Sequence, residues 1–165
     1  MRFDLKKFLS AGLSPCEKRF TADFSQRDFS GAHIPEPIEA CLTAIRDEGE
    51  VQLHLEASAR VTGECARCLD PVEQQETVSV DWTVRERDLE DPDFELPLDE
   101  TGALDVEEWL YQEFLFQIPT VLLCSADCLG LCPVCGKKRQ DCTCPQAVES
   151  TSADARLSIL KSLLN

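Results

Sequence analysis

Val51-Gln-Leu53-His-Leu55-Glu-Ala57-Ser-Ala59-Arg-Val61 alternates apolar with mostly polar residues, the signature of a β-strand with one buried face. Upstream, Ile38, Ala40, Leu42 and Ala44 repeat that pattern across residues 38–46, and Asp47-Glu48-Gly49-Glu50 supplies a turn. The two runs read as a long antiparallel hairpin. Downstream, Val78, Val80, Trp82 and Val84 fall at period two, with Thr77, Ser79, Asp81 and Thr83 facing the other way, so a further strand is expected there. Another is expected over residues 18–25, where an extended chain puts Phe20 and Phe24 on one face. Between the strands at 51–61 and 78–84 sits Cys65-Ala-Arg-Cys68-Leu-Asp-Pro71. The first cysteine pair therefore falls in a strand connection.

The character of the chain then changes. Residues 86–103 read as an acidic loop containing prolines, with Asp88, Glu90, Asp91, Asp93, Glu95, Asp99 and Glu100. A helix is expected from Asp105, with Glu108 three residues on as a capping-box partner, and Pro119 ends it. Its apolar stripe is Val106, Trp109, Leu110, Phe114 and Ile118, and helical spacing assigns Trp109, Phe114 and Phe116 to core packing rather than to a ligand pocket. The expected fold is α+β: an antiparallel sheet or partly open barrel with a packed helix, a cysteine-rich zinc-ribbon-like module and a short C-terminal helix. Residues 1–123 form the α+β part and residues 124–144 the cysteine-rich part. Residues 145–165 supply a linker (145–153) and a last helix from Asp154 to Leu164, with Leu157, Leu160, Leu163 and Leu164 available for docking.

Ten cysteines invite either disulfides or metal. No run approaches the ~18 apolar residues of a membrane span. Met1 to Ser10 has neither the apolar run nor the small-residue cleavage site of a secretory signal. The expected location is the cytoplasm, where thiols stay reduced, and there metal is favoured over disulfides. Eight cysteines form four pairs: Cys65 with Cys68, Cys124 with Cys128, Cys132 with Cys135, and Cys142 with Cys144. Tetrahedral zinc takes four thiolates, usually from two such turns, so two zinc ions are expected, with iron the lesser alternative. Cys132-Pro-Val-Cys135-Gly136 has the form of a zinc knuckle, and Cys142 and Cys144 are close enough in sequence to close a site with it. Cys65, Cys68, Cys124 and Cys128 then share the other ion. The alternative joins Cys65 and Cys68 to Cys132 and Cys135; loop-closure entropy favours the local pairing. Cys41 is expected to be a small buried hydrophobe, and nothing is assigned to Cys16.

Catalytic zinc keeps an open position, usually with histidine or carboxylate among its ligands. Here four thiols are available to each ion, and the only histidines, His33 and His54, neighbour no cysteine pair in sequence. There is no phosphate loop, nucleophile elbow or zinc-protease histidine pair. No catalytic residue and no small-molecule substrate is expected. Charge speaks about partners. Residues 61–123 hold 3 basic and 17 acidic side chains, a net of −14, whereas residues 124–165 hold 5 and 4, a net of +1. Counterion release rewards basic surfaces on nucleic acid, so the acidic middle suits a basic partner. Only Lys137, Lys138 and Arg139 suit phosphate.

The ordered set Cys65-Ala-Arg-Cys68-Leu69-Asp70-Pro71-Val72, Asp105 to Glu113 leading into Ile118-Pro119, Cys124 through Gly136, Cys142-Thr-Cys144 and Asp154-Ala-Arg156-Leu157 resembles the YceD-like family, the large ribosomal RNA subunit accumulation proteins. Met1-Arg-Phe-Asp-Leu5 resembles the family's start. Two departures stand out: Asp154-Ala-Arg156 where the family has Asp-Pro-Arg, and Lys137-Lys138-Arg139-Gln140 in place of a more neutral loop. Some members lack the Cys132–Cys144 hairpin, which supports treating it as a separate site. The resemblance implies a non-enzymatic factor for accumulation of large-subunit ribosomal RNA. It would act either through a basic large-subunit ribosomal or assembly protein or by binding ribosomal RNA directly. A zinc-ribbon DNA-binding regulator is a third reading, disfavoured because no basic recognition helix is present.

Overall fold

Alternation along the chain is realised as one open antiparallel sheet. In a computed structural model describing residues 1–11, 13–91 and 93–144, its strands are β2 (Cys16–Ala22), β3 (Ile38–Asp47), β4 (Glu50–Glu64) and β5 (Pro71–Arg85), adjacent in that order. A second, two-stranded sheet pairs β1 (Arg2–Asp4) with β6 (Ala103–Asp105), Phe3 lying opposite Leu104. Among the described residues two α-helices complete the set, α1 (Leu5–Ala11) and α2 (Val106–Gln117). The sheets remain open, so the fold is α+β without barrel closure.

Register explains which face is dry. Ala40 lies opposite Ala57 and Leu42 opposite Leu55, while β5 sets Val80 against Leu55 and Val78 against Ala57. Leu42, Leu53, Leu55, Val61 and Val84 are buried on this face. The opposite face carries Arg19, Cys41, Glu56 and Ser79 across the four strands. Cys41 is therefore half-buried on the polar face, not a core hydrophobe, because Ala40 and Leu42 take the inward positions. His54 sits on the same polar face, its Nδ1 2.8 Å from Asp81 Oδ1.

Asp105 caps α2 by accepting the Glu107 and Glu108 backbone N–H groups. Val106, Trp109, Leu110, Phe114 and Ile118 are all buried, each worth roughly 1.5–3 kcal/mol when fully withdrawn from water. Phe24, Phe29, Tyr111 and Phe114 stack edge-on or tilted with centroids 5.2–6.3 Å apart. Arg27 lies over the Tyr111 ring and pairs with Glu108, pinning the loop after β2 to the helix. Besides Cys41, three further expectations differ from the fold. The strand expected over 18–25 runs Cys16–Ala22, and Phe24 packs from the following loop. The acidic stretch opens with a 3-10 turn over Glu86–Glu90 and ends in β6. Phe116, placed in the core by helical spacing, is 85% exposed.

The chain divides into two compact units, Met1–Cys128 and Leu129–Asn165. Within the described part of the second, Leu131 bridges Lys138, and a 3-10 turn spans Arg139–Asp141. No helix among the described residues is long and apolar enough to cross a membrane. The expected linker over 145–153 and helix over 154–164 lie outside the described residues.

Candidate metal centres

In the first unit the β4–β5 connection folds into a tight knuckle. The Leu69 N–H donates to the Cys65 carbonyl at 2.9 Å and the Cys65 N–H to the Asp70 carbonyl at 2.8 Å. Leu69 adopts the left-handed region, φ 62°, to complete this turn. The chain leaving α2 comes back against it: the Ala66 N–H donates to the Leu122 carbonyl at 2.9 Å. Gly63 permits the approach, since a Cβ there would lie 2.4 Å from Leu122 Cδ1. Arg67 then reaches across, its guanidinium donating to the carbonyls of Ala126 at 3.2 Å and Cys128 at 2.8 Å. These contacts gather four sulfurs. Cys65 Sγ stands 3.8 Å from Cys128 Sγ, and Cys68 Sγ 3.5 Å from Cys124 Sγ.

The second unit repeats the construction. Gly136 N–H donates to the Cys132 carbonyl at 2.9 Å, Cys132 N–H to the Lys137 carbonyl at 2.7 Å, and Gly136 has φ 71°. The two knuckles share one hydrogen-bond pattern, with Gly136 where the first has Leu69. The return segment is set by Arg139 N–H on the Gly130 carbonyl and Asp141 N–H on the Lys138 carbonyl. Cys135 Sγ and Cys142 Sγ are 3.5 Å apart, and the Cys144 N–H points at Cys142 Sγ from 3.3 Å.

Within each group of four, Cys65, Cys68, Cys124, Cys128 and Cys132, Cys135, Cys142, Cys144, all sulfurs lie within 4.8 Å of one another. All ten cysteines are free of disulfides. Zinc–sulfur bonds of about 2.3 Å in a tetrahedron put sulfurs about 3.8 Å apart, so the spacings of 3.5–3.8 Å suit such an ion. The donors are thiols alone, with no histidine or carboxylate in either group. Soft donors of this kind suit zinc or iron. The local pairing expected from sequence is the one the fold brings together; the alternative of Cys65 and Cys68 with Cys132 and Cys135 is not assembled.

Electrostatics fit cation binding. The backbone of Cys124, aided by those of Arg67 and Cys68, draws the Cys65 thiol down to about 6 against the effect of burial. The Asp70 backbone pulls Cys68 the same way, but burial and the neighbouring sulfurs outweigh it and push that thiol up to about 12. In the second group the backbones of Cys135 and Val134 bring Cys132 down to about 6. Hydrogen bonds with Cys142 and Cys135 raise Cys144 to about 12. Backbone donors stabilise one thiolate per group, while neighbouring sulfurs push Cys68 and Cys124 in the first group and Cys142 and Cys144 in the second the other way, a conflict that a cation would resolve.

Lys137 and Arg139 are exposed, while Lys138 is half-buried in the bridge to Leu131. Sequence reasoning missed Arg67. Its place between Cys65 and Cys68 was visible, but its partners are main-chain carbonyls that no residue pattern marks.

The family model described as large ribosomal RNA subunit accumulation protein YceD matches residues 53–164, from within β4 through both cysteine groups. The chain belongs to that family. Uncharacterized proteins of Mycobacterium bovis and of two strains of Mycobacterium tuberculosis are 32% identical to it over 85 residues, 48% of this chain and 40% of theirs. The chain thus spans less than half the length of the curated relatives it matches. No solved structure matches it.

Proposed function

We propose that this member of the YceD family is a non-enzymatic cytoplasmic factor that supports accumulation of large-subunit ribosomal RNA, carries two structural zinc ions, and acts through a basic protein partner. The observation that carries the metal reading is the gathering of eight thiols into two groups of four, inside the region the family model covers. Cys65, Cys68, Cys124 and Cys128 would hold one ion and Cys132, Cys135, Cys142 and Cys144 the other. The chemistry such an ion would supply is cross-linking of the chain segments that carry the four thiols. The residues do the positioning. Each knuckle aims two sulfurs by its paired backbone hydrogen bonds, and Arg67 holds the Ala126–Cys128 carbonyls to the first.

The partner reading rests on charge. A net of −14 over residues 61–123 opposes a polyanion and attracts a basic chain, such as a large-subunit ribosomal or assembly protein. One observation favours a second reading, direct ribosomal RNA binding: Lys137 and Arg139 stand exposed at the tip of the second knuckle.

Elemental analysis of protein purified without added metal is expected to give two zinc per chain and no colour; stoichiometric iron or disulfides would sink the zinc reading. Deleting the gene should lower large-subunit RNA relative to small-subunit RNA. A tagged chain should recover a basic protein that survives nuclease treatment; recovery that disappears with nuclease would favour the RNA reading.

A further inference from the structure

The first knuckle contains a residue that folding does not explain. Leu69 occupies a left-handed backbone position, φ 62°, where the equivalent step of the second knuckle has Gly136. Its side chain is nevertheless 59% exposed and so fills no core position. A leucine in a strained conformation with its apolar surface in water is the kind of outlier that points to use rather than stability.

Leu69 has apolar company. The knuckle that carries it is hydrogen-bonded through Ala66 to Leu122, and the segment leading into Leu122 exposes Leu115 by 41%, Phe116 by 85% and Val121 by 56%. Buried Phe114, Ile118 and Leu122 anchor that segment from beneath, so its outward residues are held rather than loose. The surroundings are acidic. Residues 64–70 and 113–127 hold four carboxylates (Glu64, Asp70, Glu113, Asp127) against the single guanidinium of Arg67, itself engaged with two carbonyls; Glu107 and Glu108, at the other end of α2, are taken up by the Met1 ammonium and by Arg27.

We infer that Leu69, Leu115, Phe116 and Val121 form a docking surface for a basic amphipathic segment of a protein partner, its apolar side chains on this strip and its cations on the surrounding carboxylates. This rests on the basic-partner reading and locates it. Aromatic and aliphatic anchors within a charged rim are the common anatomy of protein interfaces, and the carboxylate excess selects a cationic occupant over a nucleic acid.

The test uses the full metal-loaded chain with a photo-cross-linking residue, p-benzoylphenylalanine, in place of Phe116, of Leu69 or of Leu13. Leu13 is 88% exposed and serves as the control. The probes are large-subunit ribosomal proteins freed of RNA and, separately, naked large-subunit RNA. Cross-links from positions 69 and 116, not 13, to one basic protein are expected. Affinity for that protein, purified, should fall about tenfold on Phe116→Ser and on Leu69→Gly and stay unchanged on Leu13→Ser. Cross-links to RNA, to a second copy or to the chain's own residues 154–165, or equal yield from position 13, would overturn the proposal. If a basic protein binds but neither cross-links there nor responds to the two substitutions, the surface is wrong while the basic-partner reading stands. If no ribosomal protein binds at all, both fall.

Discussion

Leu69 and Gly136 perform the same backbone step in two turns with the same hydrogen bonds, so their difference isolates the cost of a side chain there. A left-handed non-glycine residue costs about 1–2 kcal/mol, while glycine gives back about 0.4–1 kcal/mol through its looser unfolded state. Leu69→Gly should therefore unfold in denaturant within about 1 kcal/mol of the parent, on the stable side. A loss of several kcal/mol would show that the leucine packs in a way its exposure denies. Asp99 supplies a second residue-scale expectation. The Thr101 hydroxyl, then the Ala103 and Thr101 backbone N–H groups and Arg2, hold its carboxyl below the usual range. A depressed folded value means a stabilising contribution present above the ordinary carboxyl value near 3.9 and lost as pH falls through the folded value. The stability difference between the parent and Asp99→Asn should accordingly shrink on acidification; a difference that stays constant with pH would refute the assignment.

At the scale of elements, the two thiol groups are fastened to different things. Cys65, Cys68, Cys124 and Cys128 join the β4–β5 connection to the chain beyond α2, whereas Cys132, Cys135, Cys142 and Cys144 close a short hairpin on itself. Structural zinc contributes ~10–16 kcal/mol in isolated zinc-finger peptides, enough to make such a hairpin wholly metal-dependent. Cys135→Ser should collapse the amide signals of residues 129–144 and leave the sheet's in place. Cys68→Ser should disturb residues 63–72 and 118–128 and lower the melting temperature more. Overlapping sets of disturbed amides would contradict two separate sites. The sheet was legible because β3 and β4 alternate strictly, and so was α2 because its stripe and Asp105 cap agree. The first half of β5 was not: Gln74 and Glu76 take the inward parity, so hydrophobicity is silent where pairing with Val61 and Ala59 decides. β1 and α1 are too short for periodicity to register. Phe116 misled because spacing places it at the margin of the stripe, two turns past Trp109. Periodicity does not tell how far along a helix the covering layer extends. Cys41 was readable, since its neighbours Ala40 and Leu42 already claimed the inner face.

For the molecule as a whole, charge decides between partners. If the protein partner reading holds, the isolated chain should bind large-subunit RNA fragments weakly. Lys137, Lys138 and Arg139 reach a few phosphates at most, each adding about −0.9 to the log–log salt slope on duplex or about −0.7 on single strands. A titration over a salt series should give a shallow slope. Sub-micromolar, steeply salt-dependent affinity, abolished by replacing those three residues, would transfer the function to RNA. The four cysteine pairs were legible from their spacing, whereas which pairs share a group needed loop-closure entropy to choose between two assignments. Arg67 and the Gly63 approach left no such signal, being matters of backbone and shape.

The knot of sulfurs at Cys65, Cys68, Cys124 and Cys128 also changes what kind of polymer this is. With an ion in place, residues 65–128 are a ring, and β5, the acidic stretch and α2 all lie on its circumference. A protease that nicks the ring between Glu86 and Ala103 opens a bracelet without dropping a bead, since both ends stay clasped to the same ion. The pieces should travel together through mild urea and part when a chelator undoes the clasp, so integrity of the chain and integrity of the molecule become separate questions.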